Sequence, residues 1–409
     1  MSGIKTRWGA LLSIAIGGAY AFSTNPTLAQ ELKPVADNTL GAESSVVTPT
    51  SPQADRIDGG AIRGANLFHS FSQFNIGEGR EAYFANPSGI ENILSRVTGS
   101  DASRIFGKLG VLGNANLFLI NPNGIIFGRN ASLDVRGSFV GTTANAIQFG
   151  NQGFFNATNP NTPALLTVNP SAFFFNQIAT ARIQNNSVAP AGRDPAGFDA
   201  LGLRVPDGKS LVLVGGNVSM DGGRLNAFGG RVELGGLAGA GTVGLNVNGK
   251  ELSLSFPEEV QRADMSFRNG SRVDVRGGEG GSIAINAQNL DVTGESSSFE
   301  AGIELGLGTV SSQAGDITVN ATGAIVIDSS LIGSNVRERS VGNGSNINIQ
   351  AQSVFLKNGA ALIASTAGRG NAGDINIDAR DRVSFDGTSS NGIPSGAFSS
   401  VDGADGRGG

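Results

Sequence analysis

Several residue types that support common protein functions are scarce or missing in this chain of 409 residues. There is no cysteine, so disulfides, thiolate metal sites and sulfur redox chemistry are excluded. A single histidine, His69, excludes any metal site that needs two imidazoles. Charged residues make up 15% of the chain, against about 25% in an average soluble protein. The net charge of −5, without a block of Lys or Arg, argues against nucleic acid as a partner.

The N-terminus has the three parts of a secretory signal peptide. Lys5 and Arg7 precede an apolar stretch over residues 8–22, and small residues lead to a cleavage site between Ala29 and Gln30. The apolar stretch is shorter than the roughly 20 residues that span a bilayer. We therefore expect an exported mature chain with no transmembrane span, and a retained membrane anchor is the alternative.

Glycine is abundant, with 62 residues, and from about residue 271 the chain repeats itself. One short segment recurs four times, with opening glycines spaced by 34, 29 and 29 residues. Apolar residues alternate within each version, which predicts strands with one buried face. Further short apolar pairs predict about three strands per repeat. The opening glycines are Gly281, Gly315, Gly344 and Gly373.

A parallel β-helix explains these repeats better than its rivals. One unit cannot bury its apolar face alone, and stacked units share a continuous core. Gly and Asn suit the corners because they accept positive φ, and stacked Asn side chains can form ladders. A propeller needs longer blades with hairpin turns, and leucine-rich repeats need a leucine spacing that is absent. We predict an all-β, single-stranded solenoid, with residues 266–409 as β-helix repeats truncated at residue 409.

The first half contains a dense set of motifs, among them 63–71, 86–90, 92–99, 116–128 and 133–140. This stretch closely resembles the filamentous-haemagglutinin N-terminal domain, the secretion domain of two-partner-secretion exoproteins. Its sequence looks most similar to the cyanobacterial members of that family. The resemblance implies a right-handed parallel β-helix with an N-terminal cap. We expect the secretion domain over residues 53–265, after a flexible lead segment over residues 30–52 that contains several prolines.

The resemblance also implies a partner. The chain would cross the inner membrane, meet the periplasmic domains of an outer-membrane β-barrel transporter, pass through it unfolded and fold outside. The family has two Asn-Pro motifs, and the second departs here from the usual Asn-Pro-Asn-Leu. Pro122 keeps Asn121 extended and Asn123-Gly124 supplies positive φ, so the first motif is either a β-helix corner, a transporter contact, or both. The motif residues are Asn121, Pro122, Asn123, Gly124 and Ile125, and Asn86, Pro87, Ser88 and Gly89.

Two functions remain open. The first is a secreted adhesin whose later coils present a surface to a cell-surface or glycan receptor. The alternative is a polysaccharide-active β-helix enzyme, which needs carboxylates across the scissile bond. Asp264, Asp274 and Asp291 are scattered in sequence, so we expect no enzyme, and neither a cofactor nor a metal. His69 and the run Phe173–Phe175 are interpreted as packing residues.

Overall fold

The computed structural model describes residues 32–176, 181–248 and 251–402. The predicted cleavage site at Ala29 and Gln30 lies outside the described residues. Regular structure in the described part is almost entirely β, with one short 3-10 turn at Gly41–Glu43. No helix that is long and apolar enough to cross a bilayer occurs among the residues described.

Nineteen of the 38 described strands form the long sheet, and most of these pair in parallel. Parallel pairing at equivalent places in successive coils is the pattern of a β-helix, so the predicted fold class is confirmed. The strands of the long sheet are Val35–Ala36, Ala61–Arg63, Asn66–Gln73, Asn92–Val97, Ser103–Ile105, Asn116–Ile120, Ile125–Phe127, Phe139–Thr142, Ile183–Asn185, Ser210–Gly215, Val218–Asp221, Arg231–Gly236, Met265–Arg268, Ser282–Ala287, Leu290–Thr293, Ile317–Ala321, Ala324–Asp328, Ile347–Lys357 and Ile375–Asp386.

Two smaller sheets complete the coils. The early sheet belongs to the first coils and consists of Ser45–Ser51, Ala54–Gly59, Glu81–Ala85, Lys108–Leu112 and Ser132–Asp134. The late sheet belongs to the following coils and consists of Leu203–Arg204, Arg224–Asn226, Arg272–Asp274, Ser298–Ile303, Leu331–Val336, Ala361–Ile363 and Gly396–Phe398.

The repeats occupy the register that their alternation predicts. Ile283, Ile317, Ile347 and Ile375 are successive partners in the long sheet. The first three are essentially inaccessible to solvent and belong to the central core. Complete burial of such a side chain stabilises the fold by about 1.5–3 kcal/mol. Stacking therefore provides the core that no single repeat could form.

Asparagine and glycine occupy corners as expected. Asn269 and Asn358 adopt φ of 55° and 54°, and a glycine with positive φ follows each. Their side-chain amides donate to the carboxylates of Asp221 and Asp328, at 2.7 and 2.9 Å. These contacts hold equivalent corners of neighbouring coils together.

Two antiparallel additions project from the coils, and neither is predicted by the repeat pattern. The side sheet consists of Ala146–Gln148, Phe154–Asn156, Ala172–Phe175, Gly241–Asn248 and Glu251–Ser255. Phe173 and Phe175 are buried in it, whereas Phe174 packs on the exposed Phe154 with ring centroids 5.6 Å apart. The second addition is an antiparallel hairpin formed by Pro190–Arg193 and Asp199–Leu201.

The expected flexible lead over residues 30–52 also differs from the structure. From Leu32 onward this segment packs on the first coils, with Val35–Ala36 beside the first long strand and Ser45–Ser51 paired to Ala54–Gly59. The Asp37 carboxylate accepts hydrogen bonds from the side chains of Thr39, Ser70 and Thr98. Pro49 lies in Ser45–Ser51, an edge strand of the early sheet, where a residue without a backbone N–H is tolerated.

Candidate functional site

The first Asn-Pro motif forms a tight corner between strands Asn116–Ile120 and Ile125–Phe127. The Asn121 side chain is fully buried; its amide donates to the Asp101 carbonyl and to Ser103 Oγ, both at 3.0 Å. The side-chain oxygen of Asn121 accepts the Asn123 backbone N–H at 2.9 Å. Gly124 has φ of 116°, a conformation that disfavours residues with a Cβ. The motif thus ties its own turn to the preceding coil.

The second Asn-Pro motif forms a corner that leads into strand Asn92–Val97. The side-chain oxygen of Asn86 accepts the backbone N–H of Ala115 at 3.0 Å, and its side-chain NH2 group donates to the Ile90 backbone carbonyl at 3.1 Å. Gly89 has φ of 83°, and Pro87, Ser88 and Gly89 are all exposed. Asn86 therefore bridges to the following coil while its turn faces solvent.

The two motifs meet at one strand. Asn86 holds the residue that precedes Asn116–Ile120, and Asn121 follows the last residue of the same strand. Asn121 joins two coils through its side-chain NH2 group and Asn86 through its side-chain oxygen, while the tips of both turns, including Asn123, stay exposed. The corner geometry predicted for the first motif is present, and the second motif has a related arrangement despite its altered sequence.

An asparagine ladder supports the strands between these corners. The Asn92 amide donates to Asn66 Oδ1 and the Asn116 amide to Asn92 Oδ1, both at 3.0 Å. Asn66 in turn donates to the carbonyls of Leu166 and Val168. The expectation that stacked asparagines form ladders is confirmed, and the ladder also anchors a segment outside the coils.

Arg96 is a buried cation that links three parts of the domain. Its guanidinium donates to Ser70 Oγ and Thr39 Oγ1, and to the carbonyls of Asn156 and Asn161, at 2.9–3.0 Å. It also lies 4.5 Å from the centre of the Phe155 ring. Burial lowers the pKa of Arg96 to about 10, so the group stays charged at neutral pH. Sequence reasoning missed this residue, because most of its partners are distant in sequence and two are backbone carbonyls.

His69 is a packing residue of the first long strand. Ser45 Oγ accepts the Ser70 N–H and forms a hydrogen bond with His69 Nδ1 at 3.0 Å. The ring packs on Phe84 with centroids 5.1 Å apart. Burial lowers the pKa of His69 to about 3, which leaves a neutral ring that solvent cannot reach. This environment agrees with the interpretation of His69 as a packing residue.

Carboxylates that are far apart in sequence meet on the late sheet. Asp274 and Glu300 are partners on neighbouring strands, and both contact the buried Arg276 together with Glu304. Although burial alone would lower it, these carboxylates raise the pKa of Arg276. Although Asp274 and Glu300 are far apart in sequence, coil stacking aligns residues about 26 positions apart and brings them together. In the described part of the chain, no group of three or more His, Asp or Glu side chains is arranged to hold a metal.

Comparison with known proteins places this fold among secretion domains. The chain is 41% identical over 69 residues to the heme/hemopexin-binding protein of Haemophilus influenzae strain Rd, covering 17% of this chain and 7% of that protein. A second Haemophilus influenzae protein of that name is 37% identical over 67 residues, covering 16% of this chain. The chain thus spans only 7% of the length of these curated relatives.

One solved structure has a similar fold. The HMW1 secretion domain from Haemophilus influenzae superposes with a TM-score of 0.58 at 20% identity, covering 83% of this chain and 76% of that one. The filamentous hemagglutinin secretion domain gives a TM-score of 0.39 at 13% identity, covering 92% and 99%. The TPS secretion domain matches residues 32–285, whereas the motifs predicted 53–265. Because this match covers more than half of the sequence, the chain belongs to the TPS secretion domain family.

Proposed function

We propose that residues 32–285 direct the export of a larger exoprotein through an outer-membrane β-barrel transporter and start its folding outside the cell. The observation that carries this proposal is that two Asn-Pro corners bracket one strand within the family-matched segment. A signal peptide cleaved between Ala29 and Gln30 would deliver the chain to the periplasm. The mature protein would then be secreted or held at the cell surface.

The exposed tips of the two corners are the proposed contact with the periplasmic domains of the transporter. Pro87, Ser88, Gly89 and Asn123 are exposed, and the Asn123 amide makes a hydrogen bond to the Gly99 carbonyl, at 2.7 Å. The buried Asn121 is suited to hold the corner rather than to meet a partner. Corner and contact roles would thus fall on different residues of one motif.

Stepwise growth of the coils suits a chain that emerges unfolded from a transporter. Strand Ser45–Ser51 pairs with Ala54–Gly59, which is close in sequence, and each later coil adds a parallel strand to the one before it. Local pairing has a low loop-closure cost and needs no preformed partner. The absence of cysteine prevents crosslinks that would block passage.

The coils after residue 285 are proposed to present a surface for adhesion to a cell-surface or glycan receptor. A polysaccharide-active enzyme is less well supported, because Asp274, Glu300 and Glu304 all contact Arg276 rather than flanking an open cleft as a free acid and base. The names of the relatives refer to binding and not to catalysis.

Two experiments test the export role. Deletion of residues 32–285 should trap the protein in the periplasm, whereas a chain that ends at residue 285 should still be exported. Asn123→Ala should reduce the amount exported while the purified domain keeps its stability. Asn130→Ala, which alters an exposed asparagine in the next turn, is the matched control and should export normally. Equal export of both variants would contradict the contact, and export after the first deletion would contradict the domain assignment.

A further inference from the structure

A cleft of about 470 Å³ lies on the outer face of the long sheet, where the secretion domain meets the later coils. Ser219 and Ser266 line it from the secretion domain, and Asn289, Asp291 and Ala324 line it from the coils after residue 285. The volume is within the roughly 300–1,000 Å³ typical of ligand sites. The cleft therefore opens onto the coils that are proposed to serve adhesion.

A row of outward side chains continues from this cleft along the rod. Asp291, Val326 and Phe355 point away from the central core, because the residues before and after each of them on the strand belong to that core. Ser266, Asp291, Val326 and Phe355 are successive register partners on four neighbouring strands. Neighbouring positions of the row are therefore about 4.8 Å apart.

Phe355 is an aromatic ring on the outer surface of these coils. The ring is half-buried and lies between the register positions of Val326 and Ser384. Lys357, which is exposed, places its Nζ 5.7 Å from the centre of the ring. An apolar surface with a few polar groups at its edge suits a sugar, whose ring has apolar C–H faces and hydroxyls around its rim.

The charges that line the cleft balance, which favours a neutral ligand. Arg182 and Arg268 face Asp264 and Asp291, so neither a cation nor an anion meets an excess of opposite charge. Asp264 Oδ1 accepts two hydrogen bonds from Asn289. The Asp291 carboxylate, by contrast, has no donor among the described residues. A ligand hydroxyl is a donor that matches this free acceptor without adding charge.

We propose that this row binds a neutral, extended oligosaccharide that runs along the rod. One sugar ring would lie on Phe355 and Val326, and the preceding units would reach Asp291 and the cleft. An extended hexose unit is nearly as long as the distance between neighbouring coils, so successive units meet successive side chains of the row. The proposal rests on the adhesion part of the proposed function and names the class of its ligand.

Titration of the purified chain with defined oligosaccharides tests the proposal. Of the two neutral β-1,4-linked probes cellohexaose and mannohexaose, at least one should bind with a Kd of about 1 mM or lower. Hexagalacturonic acid, which carries a carboxylate on every ring, should bind at least roughly tenfold more weakly, because it would meet Asp291. Binding of neither neutral probe at about 10 mM, or equally tight binding of the acidic probe, would overturn the proposal.

Variants in the later coils locate the binding. Phe355→Ala should weaken binding about fivefold or more, and Asp291→Ala about tenfold. Two matched controls should bind normally: Phe398→Ala alters an exposed aromatic of the late sheet, and Asp378→Ala an exposed carboxylate outside the row. If Phe355→Ala fails to fold, Asp291→Ala decides the result. Unchanged binding by the decisive variant, or equal weakening by its control, would overturn the assignment.

Adherence of the exported chain to cells distinguishes this proposal from the adhesion role on which it rests. Loss of adherence in Phe355→Ala, with export unchanged, would support the row as the receptor site. Full adherence of that variant would reject the row as the receptor site and leave the adhesion role intact. Oligosaccharide binding by a chain that does not adhere would reject the adhesion role and support the row as a sugar site.

Treatment of the target cells identifies the class of the receptor. Periodate, which oxidises vicinal hydroxyls of sugars, should abolish adherence, whereas protease should leave it largely unchanged. The opposite result would mean that a protein is the receptor, and it would overturn the saccharide as the occupant of the row.

Discussion

Replacement of Asn121 by alanine removes the side chain that closes the first Asn-Pro corner. Four hydrogen bonds are lost: the amide bonds to the Asp101 carbonyl and Ser103 Oγ, and the bonds from the Asn123 backbone N–H and the Asn123 side-chain amide to the Asn121 side-chain oxygen. Ser103 is itself buried, so water does not easily replace its lost donor. The corner would keep its backbone turn, because the Gly124 N–H still donates to the Asn121 carbonyl.

The expected loss of stability follows from these contacts. A hydrogen bond contributes about 0.5–1.5 kcal/mol, and a buried polar group left without a partner costs about 1–3 kcal/mol. We therefore expect Asn121→Ala to lower the free energy of unfolding by about 3 kcal/mol. Asn123→Ala loses the exposed hydrogen bond to the Gly99 carbonyl and a longer one, of 3.3 Å, to the Asn121 side-chain oxygen, and this change at an exposed side chain should alter stability by less than about 0.5 kcal/mol.

Urea unfolding monitored by circular dichroism measures the difference. Both variants are compared with the unmodified domain under the same conditions, and hydrogen exchange at residues 103–105 reports whether the loss is local to the corner. Equal destabilisation by the two variants would refute the division of the motif into a buried anchor and an exposed tip. A loss below about 1 kcal/mol for Asn121→Ala would refute the hydrogen-bond account.

Three further predictions concern buried groups. Burial lowers the pKa of His69 from 6.5 to about 3, so between these pH values the unfolded chain binds a proton that the folded chain does not. The free energy of unfolding should therefore fall by up to about 1.4 kcal/mol per pH unit as the pH drops from 6.5 towards 3. His69→Leu should remove this part of the pH dependence in urea unfolding, and an unchanged pH dependence would contradict the assignment to His69. A lysine cannot reproduce the guanidinium fork of Arg96, so Arg96→Lys should lower the free energy of unfolding by about 3 kcal/mol or more and speed hydrogen exchange over residues 156–161. Exchange at the rate of the unmodified domain would contradict the linking role of Arg96. Ile349→Ala should cost about 2–5 kcal/mol in the same unfolding assay, and a negligible loss would contradict its place in the core.

The repeats after residue 271 were predictable because one pattern sets both the strand and its partner. Alternation places Ile317 and Val319 on the buried face, and recurrence of the same pattern in the next version defines the residues that pair with them. A parallel stack needs no further information, since equivalent positions lie above one another. The motifs of the first half were informative for a different reason, namely their resemblance to a known family.

The side sheet and the charged clusters could not be predicted in this way. Strand Ala172–Phe175 pairs with residues 241–244, and its local sequence contains no signal for a partner at that distance. Arg96 looks like a surface residue in sequence, because backbone carbonyls that receive its hydrogen bonds leave no trace in residue types. Alignment of the repeats could have brought Asp274 and Glu300 together, since they share one register position.

Export in the presence and absence of the partner is the most direct test of the central claim. The chain is expressed with or without an outer-membrane β-barrel transporter of the two-partner-secretion type, and the amount in the medium and at the cell surface is measured against the amount in the periplasm. We predict that the protein reaches the outside only when the transporter is present and otherwise stays in the periplasm. The same amount outside the cell in both cases would contradict the account.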